Sequence, residues 1–230
     1  MLIFISEVTV LSWPLIGIFV NAFILTFLLI SAAFDKTSRN LLASLSIIPA
    51  VRLIGFSIPS ANVFLRIALF YGSIFALSLG YIICLKIKKT GHNLKHIKDL
   101  PLMIFIGILL GSLEYAFLPK ESSNLSMPFS SALLFFLFFG YTEELLFRGL
   151  IQNLVEKITK PLYSILFTSI LFTSVHINNG LSGAILAFFI SVIISLVFLR
   201  KKNIFLVTAL NTTINLFVFL LASNILVINL

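Results

Sequence analysis

The chain has 230 residues, of which 60% are hydrophobic and 10% charged, and its formal net charge is +8. About a quarter of the residues of a soluble domain are charged, so this composition excludes an ordinary water-soluble protein. A positive charge of this size would suggest a nucleic-acid partner in a soluble chain, but here the basic residues lie between long apolar runs, which is the pattern that orients membrane proteins. We therefore expect membrane lipids as the surroundings and no nucleic-acid partner.

The apolar runs predict about eight membrane-spanning helices, because one span needs about 20 residues. In chain order these runs cover residues 10–34, 41–58, 63–87, 102–118, 129–155, 161–176, 181–199 and 204–227, with a turn at 59–62 and a polar loop at 119–127. The runs do not alternate between apolar and polar residues, so helices are favoured over a closed barrel. The predicted fold class is an all-α, polytopic membrane bundle that forms a single domain over residues 1–230.

Basic residues predict the orientation in the membrane. The lysine-rich segment 86–98 and the basic residues 200–202 are separated by four predicted spans, so both are expected on the same side. The positive-inside rule makes that side cytoplasmic and places both termini outside, as in a multi-pass protein of the cell membrane. The second run contains Pro49 and Arg52 and is either kinked or partly re-entrant, and a re-entrant run would move the N-terminus inside.

Two adjacent carboxylates, Glu143 and Glu144, lie inside the fifth apolar run. An ionised side chain near the centre of a bilayer costs about 2.5–3.5 kcal/mol on insertion scales, so such residues usually have a function. Glu144 and Arg148 are four residues apart and can pair on one helix face. Glu143 points about 100° away from Glu144 and has no partner in this stretch, so pairing explains one acid but not both.

Two later runs also carry polar residues four positions apart: His176 follows Phe172 in the sixth run, and Asn215 follows Asn211 in the eighth. Intramembrane polar groups normally face the interior of a bundle, so we expect these residues to line one cavity with Glu143. A carboxylate can take a proton from water, a histidine can hold that water and carry the proton, and amides can donate to an oxyanion. Together they provide the groups needed to hydrolyse an amide with an activated water.

Three motifs occur in a fixed order, and they are Glu143-Glu144-x-x-x-Arg148, Phe172-x-x-x-His176 and Asn211-x-x-x-Asn215. This ordered set resembles the motifs of the CPBP intramembrane proteases, a family that includes the type II CAAX prenyl endopeptidases and the Abi proteins linked to bacteriocin immunity. The resemblance covers about residues 130–220. It implies that Glu143 is the general base, that His176 assists it, and that Asn215 helps to hold the oxyanion. Glu144, Arg148 and Phe172 would then be supporting residues.

Asn211 departs from the family, which usually has a second histidine at this position. An amide can donate a hydrogen bond to an oxyanion but cannot carry a proton. Two interpretations follow: an active endopeptidase whose peptide or protein substrate is lipidated or membrane-anchored, or a proteolytically inactive relative that acts as a scaffold, a peptide-binding protein or an immunity protein. A small transporter, suggested by Arg52, Arg66 and Glu114, is least favoured because the sequence shows no paired inverted halves.

The family has long been described as metal-dependent, but the residues favour a mechanism without a metal. Catalytic zinc usually takes three protein ligands, and the candidates here are Glu143, Glu144 and the single His176, so we expect no cofactor and keep a metal as the less favoured alternative. If the fifth helix enters the membrane at Phe129 and the sixth at Leu162, Glu143 and His176 differ in depth by about 10 Å. A fifth helix that extends to about Ile158, or a tilted sixth helix, would bring the two side chains level.

Overall fold

The computed structural model describes residues 2–58, 63–87, 90–93, 96–117, 127–177 and 180–223. These ranges contain helices and no strand, which confirms the predicted all-α polytopic bundle. The helices are α1 (Leu2–Ser12), α2 (Pro14–Phe34), α3 (Arg39–Leu45), α4 (Ile47–Ser57), α5 (Val63–Cys84), α6 (Leu100–Phe117), α7 (Phe129–Glu144), α8 (Asn153–Ile158), α9 (Pro161–Val175), α10 (Gly180–Lys201) and α11 (Ile204–Ala222). A short 3₁₀ turn, Ile97–Asp99, precedes α6, and a π-helical segment, Leu145–Gln152, joins α7 to α8. The predicted turn at 59–62, residues 119–126 of the polar loop and the end of the eighth run lie outside the described residues.

Among the described residues, 7 helical segments are long and apolar enough to cross a membrane, against the eight or so predicted. They are Pro14–Phe34, Arg39–Ser57, Leu65–Cys84, Ile97–Phe117, Phe129–Ile158, Gly180–Lys201 and Ile204–Ala222. The difference is the sixth predicted run, whose helix α9 has 15 residues. A helix of that length is shorter than a full span of about 20 residues.

The N-terminal half departs from the prediction at two places. Residues 2–12 form α1, an additional short helix, and the first long helix begins at Pro14, where the missing N–H of proline costs no helical hydrogen bond. The second run is helical on both sides of Ser46, with Pro49 in the first turn of α4. A proline is tolerated in a first turn, so the break in the helix falls at Ser46 and not at the proline.

Close helix packing brings the C-terminal helix α11 against α6 and α7. A Cβ atom added at Gly140 of α7 would lie 2.6 Å from Thr212 Oγ1, and one added at Gly107 of α6 would lie 2.7 Å from Thr213 Cβ. Small residues allow the backbones of membrane helices to approach in this way. The glycine at 140 therefore sets the distance between the helix that carries Glu143 and the helix that carries Asn211.

The two basic segments lie at the same end of the bundle, as predicted, so the short helix α9 makes one of the four passes between them. Lys201 Nζ lies 2.7 Å from Asp99 Oδ2, and Lys202 pairs with Glu156 at the end of α8. The side-chain amide of Asn93 donates to the backbone oxygen of Lys202, which docks the segment 90–93 at this end.

Candidate active site

Glu143 and His176 lie side by side, although their positions in the sequence predicted that they could differ in membrane depth by about 10 Å. The distance from His176 Nε2 to Glu143 Oε1 is 3.7 Å. The fifth helical segment runs for 30 residues, from Phe129 to Ile158, which is the extension that was expected to bring the two side chains level.

The π-helical segment begins directly after Glu144, and all 8 of its residues are buried. π-helices are rare and occur often at functional sites, because their wider turn redirects side chains. Here the segment directs two polar side chains at α10. Arg148 Nη2 donates to Ser191 Oγ over 2.9 Å, and Gln152 Nε2 donates to the backbone oxygen of Ser195 over 3.0 Å. Both bonds join residues that are 43 apart, so this segment and α10 run parallel in a fixed register.

Glu144 and Arg148 form the ion pair that their spacing predicted. Arg148 Nη1 lies 3.2 Å from Glu144 Oε1, and both side chains are fully buried. The guanidinium carbon of Arg148 lies 4.9 Å from the centre of the Phe172 ring, which in turn stacks on the imidazole of His176 at 4.2 Å. Phe172 therefore separates the ion pair from the histidine and contacts both.

Asn211 bridges the two carboxylates. Its Nδ2 atom donates to Glu143 Oε2 over 2.9 Å and to Glu144 Oε1 over 3.0 Å. Asn215 Nδ2 in turn donates to Asn211 Oδ1 and to the backbone oxygen of Asn211, both over 3.0 Å. The surrounding groups fix the orientation of the Asn211 amide, because the opposite orientation would point its oxygen at two carboxylates.

Tyr71 of α5 belongs to this site, and sequence reasoning missed it. Its hydroxyl group donates to Glu143 Oε1 over 2.8 Å. Its ring stacks on Phe139, one turn before Glu143 on α7, with ring centres 4.0 Å apart and planes inclined by 11°. A tyrosine inside an apolar span needs a partner for its hydroxyl group, and that need was the available signal. The sequence did not indicate which helix would provide the partner.

A cavity of about 450 Å³ opens beside these groups. The polar side chains that line it are those of Arg52, Tyr71, Glu143, His176 and Asn215. The rest of its wall is apolar and is formed by Ile47, Ile48, Val51, Ile67, Phe70, Ile74, Phe135, Phe136, Phe139, Leu146, Phe147 and Val175. Glu144 and Arg148 do not line the cavity and are fully buried behind its wall.

Arg52 has a partner that was not predicted. Its Nη2 atom lies 2.6 Å from Glu7 Oε2 and 3.2 Å from the backbone oxygen of Val175, and its Nε atom lies 2.9 Å from Glu7 Oε1. Glu7 is on α1, which packs against α9, so the extra N-terminal helix brings a carboxylate to the edge of the cavity.

The described side chains do not form a set of metal ligands. Within those ranges, no group of 3 or more His, Cys, Asp or Glu residues is placed to hold an ion. Near Glu143, the neighbouring acid Glu144 is engaged by Arg148 and by the amide of Asn211. The donor set therefore does not fit a catalytic zinc ion, which needs about three such ligands.

Residues 125–217 match the family model of the Rce1-like type II CAAX prenyl endopeptidases. No curated protein and no solved structure shows a significant match to the chain. The matched region contains all three motifs, from Glu143 to Asn215. The match supports the family resemblance that these motifs predicted, over this part of the chain.

Proposed function

We propose that this chain, which carries the motif region of the type II CAAX prenyl endopeptidases, hydrolyses a peptide bond in the membrane with a water activated by Glu143. One observation carries the proposal. The carboxylate of Glu143 and the imidazole of His176 lie 3.7 Å apart at the wall of a cavity whose remaining lining is mostly apolar. A base and a proton carrier in contact inside such a cavity are the arrangement that general acid–base hydrolysis requires.

In the proposed reaction, a water bound between Glu143 and His176 attacks the carbonyl carbon of the scissile amide. Glu143 takes one proton from the water as the new C–O bond forms, and the carbonyl electrons move to the oxygen. Glu143 then passes this proton to His176 Nε2, which delivers it to the amide nitrogen as the C–N bond breaks and the carbonyl forms again. The products are a carboxylic acid and an amine, and Glu143 returns to its starting state.

The proposed substrate is a peptide that carries a lipid chain close to its scissile bond. The family's description names a prenyl endopeptidase, and the cavity provides a long apolar wall beside the acid and the histidine. We further propose that the reaction needs no metal, because the donor set around Glu143 does not fit one.

The second candidate function is a proteolytically inactive relative that binds peptides without cleaving them. The observation in its favour is Asn211, whose amide bridges both carboxylates where the family usually has a histidine. That bridge holds Glu143 in place, but an amide at position 211 cannot carry a proton as an imidazole can, so the site has one proton carrier fewer.

The test is cleavage of a prenylated peptide ending in a CAAX sequence, with the purified chain in liposomes. We expect the unmodified chain to cleave it and Glu143→Gln to lose at least about 10³-fold in rate, because the base is lost. Glu156→Gln is the matched control, since it removes a carboxylate at the far end of the bundle. Full activity in Glu143→Gln would end the proposal, whereas an inactive unmodified chain that binds the peptide would favour the inactive relative.

A further inference from the structure

The hydrogen-bond donors near Glu143 can be counted individually, and the count leaves the amides without a free hydrogen. The side-chain amide of an asparagine has two donor hydrogens. Those of Asn211 go to Glu143 Oε2 and Glu144 Oε1, and those of Asn215 go to the side-chain and backbone oxygens of Asn211. Neither amide therefore has a hydrogen left for the oxygen of a substrate carbonyl, and this includes Asn215, to which the family resemblance assigned that role.

His176 offers a hydrogen to that oxygen in one protonation state alone. Its Nδ1 atom lies 2.9 Å from the backbone oxygen of Phe172, which can accept but not donate, so Nδ1 carries a hydrogen. In the neutral imidazole, Nε2 then has a lone pair and no hydrogen. The same nitrogen must also exchange a proton with Glu143 in the proposed reaction, so it does not serve as a permanent donor to an oxyanion.

Tyr71 has a hydroxyl group that is placed for this purpose. It lines the cavity and donates to Glu143 Oε1 over 2.8 Å, on the same oxygen that faces His176 Nε2. Stacking on Phe139 holds its ring, so rotation about the C–O bond is the remaining freedom of the hydroxyl hydrogen. A fixed donor aimed at developing charge is the type of group that stabilises a tetrahedral intermediate.

We infer that Tyr71 is a further catalytic residue, whose hydroxyl group donates to the oxyanion that forms when water attacks the substrate carbonyl. This inference rests on the proposed function. Before the attack, the hydroxyl donates to the carboxylate of Glu143. When Glu143 has taken a proton from the water, it becomes a weaker acceptor, and the hydroxyl hydrogen turns to the negatively charged oxygen. Tyr71 keeps its proton throughout and donates to Glu143 again after the C–N bond breaks.

The kinetic test compares Tyr71→Phe with Tyr81→Phe in the prenylated-peptide assay. Tyr81 is the matched control because it is on the same helix and its hydroxyl bonds to Ser46 Oγ, outside the cavity. We expect Tyr71→Phe to lower kcat by about 10²–10³-fold with little change in KM, as the loss of one oxyanion donor does. Tyr81→Phe should keep its activity. If Tyr71→Phe cleaves as fast as Tyr81→Phe, while Glu143→Gln is inactive, the inference is wrong and the proposed function stands.

A binding test separates donation to the oxyanion from mere positioning of Glu143. The probe is the same prenylated peptide with its scissile amide replaced by a phosphonate, which imitates the tetrahedral intermediate. We expect Tyr71→Phe to bind this probe more weakly by about the factor that it loses in kcat/KM. The uncleaved peptide, measured in the Glu143→Gln background, should bind equally with Tyr or Phe at position 71. A residue that positioned Glu143 alone would lower kcat and leave phosphonate binding unchanged.

The phosphonate measurement needs no turnover, so it also tests whether Tyr71 donates to the oxyanion in a chain that proves inactive. Equal affinity of the unmodified chain and Tyr71→Phe for the phosphonate would overturn the inference. Failure of the unmodified chain to bind either the phosphonate or the peptide would overturn it together with the proposed function.

Discussion

The ion pair between Glu144 and Arg148 leads to a quantitative prediction about stability. Both side chains are fully buried, and one contact of 3.2 Å joins them. Breaking a buried pair by removing one partner costs about 3–5 kcal/mol, because it leaves the other charge without compensation. We therefore expect Arg148→Met to lower the free energy of unfolding by about that amount.

The double variant Glu144→Leu, Arg148→Met should recover most of the loss. Glu144 Oε2 and Arg148 Nε have no hydrogen-bond partner among the described residues, so the pair is incompletely satisfied. An apolar pair of similar volume is often as stable as a buried ion pair. The remaining cost is that Asn211 and Ser191 each lose a partner, which we put at about 1–2 kcal/mol in total. The coupling energy between the two positions should then be at least about 3 kcal/mol.

Unfolding of the purified chain in mixed micelles, followed by far-UV circular dichroism as the fraction of SDS is raised, measures these differences. Arg66→Met is the control, because it makes the same chemical change at an exposed arginine and should shift the free energy by less than about 0.5 kcal/mol. A double variant that is as unstable as the sum of the two single variants would show that the two charges do not stabilise each other, and the reasoning would fail.

Three other predictions test the surroundings of the site. Gly140→Ala should lower the free energy of unfolding by about 1–3 kcal/mol and lower the cleavage rate, because its Cβ would lie 2.6 Å from Thr212 Oγ1. Gly80→Ala is the control and should change neither quantity, since nothing lies within 4 Å of its Cβ. Thermal unfolding and peptide cleavage measure the two effects. Partial burial lowers the pKa of His92, so protonation below about pH 6.5 should destabilise the docked segment 90–93. Hydrogen exchange in this segment should then become faster as the pH falls, and His92→Gln should not show this change. Asn211→His should raise the cleavage rate if the missing proton carrier limits turnover; an unchanged rate in a chain that is already active would show that it does not.

The sequence predicted the fold well because lipid leaves few alternatives. Apolar runs of about 20 residues must form helices in a bilayer, and the basic segments at 86–98 and 200–202 indicated which ends lie together. The misses concern short elements. Hydropathy does not separate a full span from the 15-residue helix α9, and it does not detect that residues 2–12 form a helix of their own. For that reason the pair of Glu7 with Arg52 was not foreseen.

Within the site, the sequence predicted contacts along one helix better than contacts between helices. The pair of Glu144 with Arg148 and the stacking of Phe172 on His176 both follow from a spacing of four residues. The bridge from Asn211 and the bond from Tyr71 depend on how far each helix is rotated and inserted relative to α7. Close contacts such as that of Gly140 with Thr212 set these quantities, and a single sequence does not encode them in a readable pattern.

The amide of Asn211 changes how charge is balanced at the site. Glu143 and Glu144 place two carboxylates around one amide, with Arg148 as the buried cation beside them. An imidazole in place of the amide could add a second positive charge and share the proton of Glu143, but an amide remains neutral at every accessible pH. His176 is then the group next to Glu143 that can take up a positive charge, so the proposed reaction must use this imidazole for every proton that leaves Glu143. A hydroxyl donor that keeps its own proton, as proposed for Tyr71, is compatible with that restriction.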